Sequence, residues 1–347
     1  MSRAIIAGPP DGCEAPRRCG PGSGIDTAAA EAKSRTMSGD FDLVVIGGGL
    51  AGLSAALTAG RLGRRVAILT GGALGGQLVS IEKIEGVPGF ADPVPGYDLC
   101  PITQEQADAV GVQFVMAEAE SIVADGDGWK IASSEGELSA RGVVVATGTR
   151  IARLGAPGED RLVGRGVSEC ASCDAPLLRG KTAVVAGGGD SAMQEALTLA
   201  AHVDRVIMLE RGERLTGQAS YQAEVASNPK IEIRFGQEIV EILGEDAVTA
   251  VRIRDASGAE SEQETAAVFA FTGLLPNAGL VEGIAPLDPT GRIGVDAAMR
   301  TPVRGLTAAG NVRQDSPHRA AAAMGDGAAA AVALDRYLAT GAWRDQD

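Results

Sequence analysis

The sequence predicts an α/β protein of two three-layer domains, each a parallel sheet between helices, with the second domain inserted in the first. Three observations carry this. An apolar strand at Phe41-Asp42-Leu43-Val44-Val45-Ile46 runs directly into Gly47-Gly48-Gly49-Leu50-Ala51-Gly52 and a stretch of small residues. The same pattern recurs 140 residues later without a gap. The last part of the chain offers a strand and an Ala-rich helix but no glycine turn of its own, so it most economically completes the first domain.

The first unit is strand, glycine turn, helix over residues 53–60, and a second strand at Val66-Ala67-Ile68-Leu69. That context makes a GxGxxG pattern informative. The shift of 140 puts Gly47, Gly49 and Gly52 on Gly187, Gly189 and Ala192, and Val44-Val45 on Val184-Val185. Two copies in register, each between predicted strands, read as two Rossmann-like dinucleotide-binding folds, and the chain is expected to bind two nucleotides. Gly47 and Gly187 permit the tight turn out of the strand. Gly49 and Gly189 let the backbone approach a pyrophosphate seated at a helix N-terminus, whose free N–H groups and dipole favour negative charge. Gly52 and Ala192 keep helix and strand close. Glycine turns that bind nothing explain one copy more easily than two.

Gly142-Val143-Val144-Val145-Ala146-Thr147-Gly148-Thr149 reads as a buried strand ending in a small-residue turn, and Ala267-Val268-Phe269-Ala270-Phe271-Thr272-Gly273 closes the second half. A strand over residues 306–310 and a helix over residues 320–338 end the chain. The expected partition is a leader at 1–38, the first domain at 39–150 and 280–347, and the inserted domain at 151–279.

The chain has 347 residues, 45% of them hydrophobic, enough for two cores. Its 48 glycines and 3% aromatics suit tight turns and close backbone approaches. A net charge of −14 argues against nucleic acid or an anionic membrane as main partner. No apolar run reaches the ~18–20 residues of a membrane-spanning helix. Residues 1–38 carry Pro9, Pro10, Pro16 and Pro21 and no apolar core for a signal peptide; they read as a disordered leader, with Met37 a plausible natural start. A cytoplasmic location follows by default.

Of five cysteines, Cys170 and Cys173 form a CxxC just before the second nucleotide fold. A zinc knuckle needs a second pair, and only His202 and His318 could supplement it. An iron–sulfur site meets the same shortage, and two incidental structural cysteines remain an option. A dithiol/disulfide couple is favoured, since the spacing lets the sulfurs bridge and one thiol's pKa fall. No metal is expected. Cys13 and Cys19 fall in the leader, and Cys100 precedes Pro101 in an expected loop.

These residues resemble the low-molecular-weight thioredoxin reductase family, from about Asp42 to Leu338. Gly164-Arg165-Gly166-Val167-Ser168-Glu169-Cys170-Ala171-Ser172-Cys173-Asp174 resembles its redox segment. Gly75-Gly76-Gln77-Leu78, Val87-Pro88-Gly89-Phe90 and Ala146-Thr147-Gly148 resemble its FAD-domain signatures, with Gly310-Asn311 and Arg319 at the C-terminal FAD motif. Gly187-Gly188-Gly189-Asp190-Ser191-Ala192 resembles its nicotinamide-binding turn, with Glu210 and Arg211 ending the next strand, and Pro276-Asn277 lies where its return connection runs. The resemblance implies FAD in the discontinuous domain, NADH or NADPH in the inserted one, a homodimer, and electron flow from nicotinamide through flavin to the Cys170–Cys173 disulfide. It implies that Cys173 faces the flavin, Cys170 attacks the disulfide of a thioredoxin-like protein or small molecule, and Asp174 manages the proton. It also implies two domain orientations, exchanged by swivelling near residues 150–153 and 277–280.

Three departures from the family pattern stand out. Of the basic cluster expected after the strand at Met208-Leu209-Glu210-Arg211-Gly212, only Arg211 survives, and Glu210, 23 residues past Gly187, is placed to accept ribose hydroxyls; NADH is therefore favoured over NADPH. The C-terminal motif reads Gly310-Asn311 in place of Gly-Asp, and His318-Arg319 stands where the family has Arg-Gln. The last two features also occur in relatives that oxidise small-metabolite dithiols with oxygen. That oxidase, and a nucleotide-binding redox sensor with little turnover, are the alternatives.

Overall fold

The computed structural model describes residues 39–72 and 74–344. The expected leader, with Cys13, Cys19 and Met37, lies outside the described residues. The first sheet begins with β1 (Gly39–Ile46), α1 (Leu50–Arg61) and β2 (Val66–Leu69). Then come α2 (Gly96–Asp108), β3 (Gln113–Val115), β4 (Ala119–Asp125), β5 (Gly128–Ser133) and β6 (Gly136–Val145). The strands lie in the order β3-β2-β1-β6-β5-β4. β1 runs parallel to β2 and β6, and Leu43, Val44 and Val45 are fully buried because helices or loops cover both faces.

The second sheet is wholly parallel. After β7 (Thr149–Ile151) and α3 (Glu159–Leu162) come β8 (Val167–Ser168) and α4 (Ala171–Asp174). β9 (Thr182–Ala186), α5 (Asp190–Ala200), β10 (Arg205–Glu210), α6 (Ala219–Ser227) and β11 (Ile231–Phe235) follow. An antiparallel meander of β12 (Gln237–Leu243), β13 (Ala250–Asp255) and β14 (Glu260–Glu264) precedes β15 (Ala267–Ala270). The order is β11-β10-β9-β15-β8. The chain returns through β16 (Leu274–Pro276), which pairs antiparallel with β7, so the two connections between the sheets are hydrogen-bonded to each other.

Beyond that return, β17 (Leu306–Ala308) pairs parallel with the end of β6, and α7 (Ala320–Thr340) packs along α1. The tail thus adds a strand to the first sheet. Small residues make the α1–α7 approach possible: a Cβ on Gly327 would lie 2.1 Å from the Ala51 carbonyl oxygen.

The repeat read from the sequence is a repeat of hydrogen bonds. Gly47 N–H donates to Leu69 O and Gly187 N–H to Leu209 O, both at 2.8 Å. Ala146 N–H donates to Ile46 O and Phe271 N–H to Ala186 O, again both at 2.8 Å. Gly47 and Gly187 take φ of 116° and 124°, a region that side-chain-bearing residues avoid.

Two local expectations are corrected. Cys100 and Pro101 lie inside α2, not in a loop. Proline forfeits one i→i−4 bond in a helix, and burial of Leu99, Cys100, Thr103 and Ala107 on that helix offsets the loss. The strand expected over residues 142–149 is β6, which starts earlier, and Thr149 belongs to β7. Residues 136–140 of β6 pair with β5 at a point where the sequence shows a polar edge rather than an apolar run.

Candidate functional site

A cavity of about 700 Å³ is lined by both glycine turns. From the first sheet it takes Gly47, Gly49, Gln77, Thr147 and Gly148, and from the tail Gly310, Asn311 and Arg319. From the second it takes Gly189, Asp190, Ser191 and Ala192. Of the expected binding residues, Gly52, Gly187, Glu210 and Arg211 lie off the cavity wall. Gly52 and Gly187 act from beneath: a Cβ on Gly52 would sit 1.9 Å from Gly47 O, and one on Gly187 2.3 Å from Phe271 O.

The first turn fits a dinucleotide. A Cβ on Gly49 would meet nothing within 4 Å, so the N-terminus of α1 opens onto free space where a pyrophosphate can be received. Around it the polar groups are mutually fixed. Gln77 Nε2 donates to Thr149 O at 2.8 Å, and Thr149 Oγ1 donates to Gln77 Oε1 at 3.3 Å. Thr147 Oγ1 donates to Asn277 O at 2.7 Å, while Asn277 Nδ2 returns a bond to Thr147 O at 3.1 Å. Gly148, at φ 65°, makes the turn between them.

On the far side Gly310, at φ 78°, donates its N–H to Asp326 Oδ2 at 3.1 Å. Arg313 grips the same carboxylate with two bonds, at 2.7 and 2.8 Å. The pair is nearly buried, with side chains 12% and 8% exposed. Asn311 Oδ1 accepts Ser316 Oγ at 3.0 Å. His318 has the left-handed φ of 55°, and burial first, then the positive charges of Arg292 and Arg319, pushes its imidazole pKa down. Arg319 Nη1 reaches Asp190 Oδ2 at 2.5 Å.

At the second turn Gly189 caps α5, and Thr216 and Gly217 also line the cavity. Neither was foreseen, yet a signal existed. Gly75 N–H donates to Gly48 O and Thr216 N–H to Gly188 O, both at 2.9 Å, so the repeat continues past the second strand with an offset of one residue. Asp326 and Arg313 were likewise missed as site residues. Glu210 Oε1 accepts the Gly212 N–H at 2.7 Å, and its Oε2 lies 2.5 Å from where a Cβ on Gly188 would stand. The carboxylate is therefore fixed beside the glycine turn, while Arg211 is exposed.

Cys170 and Cys173 form a disulfide, with Cα atoms 5.4 Å apart. Cys173 is exposed, Cys170 half-buried, and neither lines the cavity. On that side of the cavity the wall is formed instead by Gly189, Asp190, Ser191 and Ala192, at the N-terminus of α5. Cys173 N–H points at Cys170 Sγ, 3.3 Å away, and Asp174 N–H donates to Cys170 O at 3.3 Å. Ala171 N–H donates to Glu195 Oε2 at 2.7 Å. Burial holds the Glu195 carboxyl above the usual carboxylate range; the Ala171 N–H opposes this, and the charge of Glu82 adds to it. Cys100 is a buried thiol, pushed up to about 11 by burial. Among the described residues no helix is long and apolar enough to cross a membrane.

Comparison with known proteins agrees with this geometry. Residues 41–327 match the pyridine nucleotide-disulphide oxidoreductase family model. The chain is 38% identical over 305 residues to a thioredoxin reductase of Treponema pallidum (strain Nichols), covering 88% of this chain and 99% of that protein. Two crystal structures are similar: Lactococcus lactis thioredoxin reductase (FR conformation), with TM-score 0.84, 32% identity and coverage of 86% and 99%, and T. acidophilum thioredoxin reductase, with TM-score 0.83, 32% identity and coverage of 87% and 99%. The chain belongs to the pyridine nucleotide-disulphide oxidoreductase family and, within it, to the low-molecular-weight thioredoxin reductases.

Proposed function

We propose that this protein is an FAD-dependent NAD(P)H–disulfide oxidoreductase that reduces a thioredoxin-like protein or a small-molecule disulfide. The observation that carries the proposal is the opening of both glycine turns onto one cavity, on a chain whose CxxC is bonded to the second nucleotide helix. Gly47, Gly49, Gly52, Gln77, Thr147, Gly148, Gly310 and Asn311 are the residues that would hold FAD, within the segments 39–150 and 280–347. Gly187, Gly189, Asp190, Ser191, Ala192, Glu210 and Arg211, within 151–279, would hold the nicotinamide nucleotide, and Arg319 stands between the two sites. FAD, when bound, supplies the conversion of a two-electron hydride donor into a reductant for a disulfide.

The chain's own part is thiol chemistry. With the pair reduced, the N–H of Cys173 stabilises a thiolate on Cys170, which suits Cys170 to attack. Its Sγ bonds to one sulfur of the substrate disulfide, and that S–S bond breaks. Cys173 Sγ then attacks Cys170 Sγ, closing the internal disulfide and releasing the substrate as a dithiol. Asp174, adjacent to the pair, is the proposed carrier of the protons that the two released thiolates take up.

NADH is the proposed preferred reductant, supported by the fixed carboxylate of Glu210 beside the turn. A homodimer is proposed on family grounds. The buried free thiol at Cys100 and a pair that must cycle through the dithiol suit a reducing compartment, and the cytoplasm is the proposed location. Stopped-flow reduction of the bound flavin by NADH and NADPH, followed by turnover with thioredoxin and small disulfides, tests the reading. Flavin that neither nucleotide reduces, or that fails to pass electrons to any disulfide, refutes it.

A further inference from the structure

Two polar contacts join α5 to the FAD-side segments. Arg319 Nη1 meets Asp190 Oδ2 at 2.5 Å, and one helical turn later Gln194 donates to the carbonyl of Lys83. Asp190 and Gln194 lie on one face of the helix, four residues apart. The Asp190 carboxylate cannot follow Arg319 freely, since its other oxygen accepts Gln218 N–H at 2.6 Å. It is a fixed post on its own domain. A guanidinium at a helix N-terminus faces the positive end of the dipole, so the carboxylate, not the helix, is what holds it there. Arg319 itself is aimed by its neighbours: it occupies the cap position of α7 and follows His318 in the left-handed conformation.

We infer that Arg319 is a positioning residue that clamps the N-terminus of α5 over the cavity, favouring the arrangement in which the nucleotide helix rather than the Cys170–Cys173 pair faces the flavin site. This rests on the function proposed above. Cys173 is exposed here and off the cavity, so electrons reach the pair only after the second sheet turns about the β7–β16 connection. That turn carries Asp190 away from Arg319. Each cycle therefore breaks and remakes the pair, and the strength of the pair biases which arrangement is populated. With side chains 44% and 23% exposed, the bias is modest, about two- to fivefold in population.

The test reads arrangement without using a nucleotide. The flavin-bound protein is reduced with dithiothreitol, and alkylation of Cys173 by iodoacetamide is timed by peptide mapping. Removing the clamp with Arg319→Gln is expected to slow alkylation about two- to fivefold, because the pair spends more time covered at the flavin site. Arg319→Lys, which keeps the charge, is expected to restore most of the rate. Flavin reduction by the nucleotide is expected to slow by the same factor in Arg319→Gln, with the melting temperature unchanged. Equal alkylation rates in wild type and Arg319→Gln, or a loss that Arg319→Lys does not recover, overturn the inference. Because alkylation needs no nucleotide, that result is distinct from a failure of the enzyme to use NAD(P)H.

Discussion

Glu195 Oε2 accepts the backbone N–H of Ala171 at 2.7 Å, tying the nucleotide helix α5 to the first residue after Cys170. Ala171 is fully buried, so this N–H depends on that one carboxylate oxygen being in place. Glu195→Ala is expected to destabilise the protein by ~1–3 kcal/mol, the cost of an orphaned buried donor. Glu195→Gln keeps an acceptor and is expected to be milder. Its effect should depend on pH. Burial raises the folded-state pKa of Glu195 above its unfolded value, so the folded protein binds the proton more tightly. Stability relative to Glu195→Gln is then greatest below the unfolded pKa and is lost as pH rises through the folded one. Urea denaturation of both proteins across the acid range checks this; an opposite trend refutes it.

Cys170→Ser and Cys173→Ser are each expected to abolish disulfide turnover while flavin stays bound. They should differ in what they trap. If Cys170 attacks, Cys173→Ser accumulates a mixed disulfide with the substrate, because the resolving thiol is gone. Mass spectrometry of the intact protein after incubation with a disulfide substrate reads this directly. A mixed disulfide on Cys170→Ser instead would reverse the assignment.

How much of this was legible in the sequence depended on whether a feature was local. The two glycine turns were, since φ near 120° at Gly47 and Gly187 and the open space at Gly49 are demands that only a few residues at fixed spacing can meet. Cys170 and Cys173 were legible for the same reason. What escaped notice was set by contacts distant in sequence. Asp326 reaches Gly310 and Arg313 across a turn of irregular backbone, which no periodic pattern announces. Pro101 read as a loop signal, and the buried face of α2 overruled it. That Cys173 is turned away from the cavity is a matter of how two sheets sit, and neither turn encodes it locally.

The Arg313–Asp326 pair holds the turn at Gly310 from behind. Asp326→Ala leaves the Arg313 guanidinium largely buried without its partner and removes the acceptor of Gly310 N–H. Breaking a pair of this kind costs ~3–5 kcal/mol. The expected outcome is a large drop in melting temperature and a protein purified with little flavin. Asp326→Ala that retains full flavin at wild-type stability would show that the turn holds itself.

The proposed preference for NADH rests on the second turn. Glu210 ends β10, and its carboxylate is fixed by the Gly212 N–H at 2.7 Å, with Oε2 directed at Gly188. An acidic residue at the end of that strand accepts hydrogen bonds from the adenosine ribose hydroxyls. The same charge repels a 2′-phosphate, and Gly212 offers no cation to offset it. Arg211 is exposed and works the other way, since it can swing onto a phosphate. Repulsion of a doubly charged phosphate in a partly desolvated site is worth ~1–3 kcal/mol, or ~10- to 100-fold in kcat/KM in favour of NADH. Two substitutions separate charge from hydrogen bonding. Glu210→Gln removes the charge and leaves an acceptor, so it should raise kcat/KM for NADPH while costing NADH only a few-fold. Glu210→Arg should narrow the gap further by adding a partner for the phosphate. Steady-state kinetics with both nucleotides decide the matter: equal values in the wild type, or a preference for NADPH that Glu210→Gln leaves unchanged, would remove Glu210 from the specificity of the site.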